Sequence, residues 1–87
     1  MSDAIHHTHP EILKRLKRVE GQIRSIATMI EAGRSCIDVA QQFAAATSAM
    51  ASAKNTFIRD HIDHCLNGSR DDLEAQLLEL KAITKYL

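Results

Sequence analysis

The sequence predicts an all-helical fold, and three observations carry the prediction. The 87 residues include no Trp, one Tyr, two Phe and a single Pro, amid many Ala, Leu and Ile, a composition that suits packed helices better than a sheet. Apolar residues recur at alternating spacings of four and three along two long stretches, as in a helical seam. Turn and cap residues interrupt the pattern at Thr8-His9-Pro10, at Gly33-Arg34-Ser35 and at Asn67-Gly68-Ser69.

The first helix opens on Thr8-His9-Pro10-Glu11, which has the form of a capping box, with Pro10 in the first turn where its missing N–H does no harm. Its seam is Ile12, Leu16, Val19, Ile23, Ile26 and Ile30, widened by Leu13 and Met29. Gly21 interrupts it at about 1 kcal/mol relative to Ala, either as a tolerated imperfection or because another helix or DNA comes close. Gly33 reads as the C-terminal cap, and Ser35 as the N-cap of a second helix with Asp38 three residues on. That helix runs without Gly or Pro to about Leu66, with a stripe of Cys36, Ala40, Phe43, Thr47, Met50, Lys54, Phe57 and His61. Small residues between Ala44 and Ala53 would let helices approach closely. Asn67-Gly68 ends it, and Ser69, with Asp72 at the capping-box position, starts a short third helix with Leu73, Leu77, Leu80, Thr84 and Leu87 on its apolar face. Residues 1–9 read as a flexible His-containing arm and residues 10–87 as a single domain. Two long seams and one short helix leave more apolar surface than one chain can bury, so self-association is expected.

No apolar run approaches the length of a membrane span, and the first residues lack the apolar core of a signal peptide. The expectation is a cytoplasmic protein with no membrane partner. Two cysteines unable to pair within the chain argue for reduced thiols over a disulfide scaffold. Net charge is zero but uneven: residues 14–24 carry a balance of +4, and the segment from Asn67 onward carries −1. Lys14, Arg15 and Arg18, helped by Lys17, Arg24 and Lys54, are the candidates for tracking a phosphate backbone, since an oligomer repeats the patch.

The chemistry concentrates in His61-Ile62-Asp63-His64-Cys65. Residues four apart on a helix share a face, so His61 and Cys65 form a two-point chelate for a soft or borderline metal. Cys36 lies 29 residues before Cys65. That is roughly 43 Å along one helix, too far to share the ion. If all three bind one metal, Cys36 must come from a second chain whose helix runs antiparallel. His64, which faces away from the chelate, and His6, His7 and His9, which stand before the first helix, are possible additional ligands. A thiol enzyme built on Cys65 and His61 is the rival class, but the chain has no Gly-rich loop, oxyanion nest or orienting third group. A cytosolic metal chaperone is another, separable because it would not bind its own promoter.

These residues resemble the bacterial CsoR/RcnR family of all-helical metal- and thiol-responsive repressors across residues 10–87. The resemblance lies in Arg15-Leu16-Lys17-Arg18-Val19-Glu20-Gly21-Gln22, in Cys36-Ile37-Asp38-Val39 and in His61-Ile62-Asp63-His64-Cys65. It implies a three-helix protomer, an antiparallel four-helix-bundle dimer assembling to a tetramer, and operator DNA released when metal binds. Cys36, His61 and Cys65 resemble the family's Cu(I) set. Its Ni(II) and Co(II) sensors add an N-terminal nitrogen or His ligand, which His6, His7 or His9 would supply. Two departures stand out. Ser35 replaces the Tyr that copper sensors often place beside the first Cys, and Thr47–Ala53 lacks the Arg many members carry there.

Overall fold

The computed structural model describes residues 8–67 and 73–87, apart from the side chains of Cys65, Leu66 and Asn67. They form helix α1 (His9–Glu31), helix α2 (Cys36–Asn67), helix α3 (Leu73–Ile83) and a closing 3₁₀ turn, Thr84–Tyr86. Among the described residues there is no strand, and the expected all-helical class holds. The caps expected at Ser69 and Asp72, and the break at Gly68, lie outside the described residues.

The joint between α1 and α2 follows from its residues. Gly33 adopts φ 72°, a left-handed conformation in which a side chain would be strained. Its N–H donates to the Ile30 carbonyl at 3.1 Å and that of Arg34 donates to Met29 at 3.0 Å, the paired bonds of a Schellman cap. One residue later Ser35 Oγ accepts the Asp38 N–H at 3.1 Å, starting α2. The Asp38 carboxylate turns outward to Arg34 Nη2 at 3.3 Å.

The capping box expected at Thr8 does not form. Thr8 sits at φ −84° and ψ −15°, already helical, and its hydroxyl makes no cap bond. A capping side chain reaches the amides above it only from an extended backbone. Thr8 instead engages through its carbonyl, which accepts the Ile12 N–H at 2.9 Å.

α1 and α2 pack as an antiparallel pair through rows of residues seven apart. Ile12, Val19 and Ile26 of α1 are buried, as are Val39, Ala46 and Ala53 of α2, with Ile58 beyond them. The stripe expected on α2 lies beside this row, outside the contact with α1, as a seam left over for self-association would. Phe43 and Met50, its large members, are 52% and 50% exposed. The reason is steric: branched Val and Ile on one helix sit against Ala on the other, so the axes come close and the bulkier row is pushed aside. The corresponding row on α1, Leu16, Ile23 and Ile30, is exposed as well. Ile23, Ile30, Phe43 and Met50, with Lys54 at one margin, line an apolar groove of about 720 Å³. Among the described residues nothing lies within 4 Å of a Cβ placed on Gly21. α3 leans on α2 without burying any residue fully. The result is a rod-like protomer, 57 × 24 × 13 Å, and among the described residues no helix is long and apolar enough to cross a membrane.

Candidate metal centre and nucleic-acid face

α2 carries Cys36 as its first residue and Cys65 two residues from its end, with no interruption between. Cys36 is a free, exposed thiol, held in place by the Ser35 cap and the Arg34–Asp38 pair on either side of it. The side chain of Cys65 lies outside the described residues. Its backbone continues the helix one turn beyond His61, so the two remain on one helical face.

His61 sits in a more enclosed place. Its Nε2 lies 3.5 Å from Glu79 Oε1 on α3, with the ring 21% exposed and the carboxylate 60% exposed. The same nitrogen is shielded from solvent and makes no hydrogen bond. At 3.5 Å the carboxylate is close enough to attract the ring and slightly too far to accept from it. Two signals of a ligand set are therefore present: an unsatisfied shielded imidazole and an exposed thiol, both donors that a soft ion takes. They do not meet within one chain. Cys36 and His61 are separated by about 38 Å at the helical rise, and among the described residues no three His, Cys, Asp or Glu side chains gather to hold a metal. The candidate donors of one protomer therefore lie at opposite ends of one helix.

The other candidate ligands fall differently. His9 begins α1 and stacks on Phe57 of α2, ring centroids 5.4 Å apart and planes 19° from parallel. Its Nε2 lies 3.7 Å from Asp60 Oδ2. The sequence placed His9 at the end of an arm; the fold carries it to the residue next to His61. His64 is half-buried on α2. His6 and His7 lie outside the described residues. Glu79, Asp60 and Phe57 were not legible as members of the site, because each arrives from a contact between helices and none belongs to a local motif.

The basic residues share α1. Lys14, Lys17, Arg18 and Arg24 are exposed, as is Lys54 on α2. Arg24 pairs with Glu20 one turn away at 3.6 Å. Arg15 lies 3.7 Å from Glu11 through Nη2 and donates from Nη1 to Ser52 Oγ across the helix pair at 3.2 Å. Side chains of this kind on one solvated helix suit contact with phosphates, and no helix-turn-helix unit occurs among the described residues to read bases.

The sequence model of the family described as metal-sensitive transcriptional repressor matches residues 8–86. Copper-sensing transcriptional repressor RicR of Mycobacterium tuberculosis is 51% identical over 53 residues, which cover 61% of this chain and 55% of that protein. Copper-sensing transcriptional repressor CsoR of Bacillus subtilis is 36% identical over 81 residues, 86% of this chain and 80% of that protein. Among solved structures, that of the nickel-responsive transcriptional regulator InrS superposes with a TM-score of 0.81 at 29% identity, covering 93% of each chain.

Proposed function

This chain belongs to the metal-sensitive transcriptional repressor family, and we propose that it holds operator DNA in its metal-free form and releases it on binding Cu(I), freeing metal-efflux or detoxification genes. Its relatives are repressors and not enzymes, which sets the thiol-enzyme reading aside. The observation that carries the proposal is the placement of donors at opposite ends of one unbroken helix, beside an apolar groove that a second copy would fill. Two chains laid antiparallel bring Cys36 of one to His61 and Cys65 of the other, twice per dimer. Pairing of such dimers into a tetramer would repeat the basic face of α1. The metal supplies a bond that joins two chains, and two thiolates with one imidazole suit Cu(I).

The residues of this chain prepare that bond. Glu79 stands 3.5 Å from His61 Nε2, so a small closing movement would let its carboxylate accept a proton from that nitrogen and leave Nδ1 for a metal. Drawing the chains together at each end shifts α2 against α1, and α1 carries Lys14, Arg15, Lys17, Arg18 and Arg24. Release requires that metal bind the DNA-free arrangement more tightly than the DNA-bound one.

One observation favours a second reading within the family. His9 lies at the same end as His61, and the structural neighbour InrS is nickel-responsive. A Ni(II) or Co(II) site would take four or more donors, and His9 is placed to give up Asp60 and Phe57 and join it, with His6, His7 or His64 as alternatives. An anaerobic titration with Cu(I) and with Ni(II), following binding to the DNA upstream of its own gene, decides between them. The copper reading predicts release by Cu(I) in the parent, in His9→Ala and after removal of residues 1–7. Release by Ni(II) at far lower free metal, lost in His9→Ala, would replace it. Mixing Cys36→Ala with His61→Ala chains tests the shared site: the mixed dimer should regain one intact site of its two, whereas no recovery overturns the antiparallel arrangement.

A further inference from the structure

Arg15 differs from the other cations of α1 in that its guanidinium is tied to the opposite helix. Nη1 donates to Ser52 Oγ at 3.2 Å, a bond spanning 37 residues of sequence, while Glu11 stands 3.7 Å from Nη2. Ser52 lies between Ala51 and Ala53 in a stretch where Ala is the better helix former, so its hydroxyl brings nothing to the helix itself. A hydroxyl is a neutral acceptor. It occupies one of the five guanidinium N–H groups, leaves the positive charge whole, and restrains a long side chain that otherwise samples many rotamers.

We infer that Ser52 is the positioning residue through which α2 sets the guanidinium of Arg15 for an operator phosphate. The inference rests on the reading of α1 as the DNA face. It also supplies a physical link between the two ligand sites of the protomer. Ser52 is on the same unbroken helix as Cys36 and His61, so any sliding of α2 along α1 carries the hydroxyl with it. A bond of 3.2 Å is near the limit for its kind, and displacement by about 1 Å breaks it. Metal capture at the ends of α2 is thereby felt at a cation in the second turn of α1, without any change inside α1.

The test uses the full chain and fluorescence anisotropy on DNA from upstream of its own gene. Ser52→Ala should weaken metal-free binding roughly three- to tenfold, the range for one hydrogen bond from a charged donor that remains partly in water. Ser52→Thr, which keeps the hydroxyl, should bind as the parent does. Thermal melting of Ser52→Ala should not fall, since Ala favours the helix. In an Arg15→Ala background the same Ser52→Ala change should have no further effect on DNA binding. Parental affinity for Ser52→Ala beside a weakened Arg15→Ala overturns the inference and leaves the DNA face standing. An equal loss from Ser52→Ala in both backgrounds also overturns it, because Ser52 would then act on DNA by itself. Parental affinity for Arg15→Ala removes the DNA role of Arg15, and the inference with it.

Discussion

At its first turn α2 offers an exposed thiol on a plain helix tip; at its last turns it is enclosed by parts of both other helices. The first end is built from neighbours in sequence, with Gly33 at φ 72°, the Ser35 cap and the Arg34–Asp38 pair all within a few residues of Cys36. The second is built from residues far apart: His9 of α1 on Phe57, Asp60 near His9, and Glu79 of α3 against His61. One end is a prong and the other a socket. A prong tolerates local change as long as the tip is presented, whereas a socket depends on three elements arriving together. Because a single stiff rod bears both, they could meet only between copies.

The largest test of that difference is at the socket. Glu79→Gln keeps the size of the side chain and removes the negative charge that stands 3.5 Å from His61 Nε2. Metal affinity, measured by competition with a chelator, should fall about tenfold or more, the usual effect of losing a partner behind a metal-bound His. DNA binding without metal should stay close to the parent. An unchanged metal affinity would make Glu79 a bystander and the socket no more than a crowded surface.

A smaller effect is expected at the joint below the prong. Gly33→Ala forces a side chain into the left-handed region and should lower stability by about 1–2 kcal/mol, read from denaturant midpoints at fixed protein concentration. Nothing lies within 4 Å of the added Cβ, so backbone strain alone is responsible. A neutral result would mean that the turn relaxes freely and that Cys36 is loosely presented.

The smallest effect belongs to the stacked ring. His9→Ala removes the contact with Phe57 and the approach to Asp60, each partly open to water, and should lower stability by roughly 0.5–1 kcal/mol. Amide exchange should quicken in the first turn of α1 and stay unchanged near Met29 and Ile30. Equal quickening at both ends of α1 would show that the two ends are not separately held.

Sequence reading succeeded where the physics is local. Gly33 and Ser35 mark a helix stop and start because the left-handed residue and the capping hydroxyl act on amides only a few bonds away. It failed at Thr8, where the residue types of a capping box are present but the backbone is helical. On α2 the spacing picked out the exposed seam and left unread the second row, which packs against α1. Phe43 and Met50 stand out by size, yet Ala46 and Ala53 face α1, and spacing alone cannot say which of two rows seven apart meets the partner within the chain. His61 was legible as a candidate from its spacing to Cys65. The contacts of Glu79 and Ser52 were not, because they exist only once α3 has folded back and α1 has docked.

From Val39 to Ala53 the chain has no charged side chain, and the groove beside that stretch is apolar. In a living cell such a surface is what chaperones and proteases inspect on newly made polypeptides. A protomer that fails to find a copy of itself is therefore expected to be short-lived, while one that has paired hides the signal for its own removal. Abundance then regulates itself: surplus chains are cleared, and the pool that persists is the pool already matched.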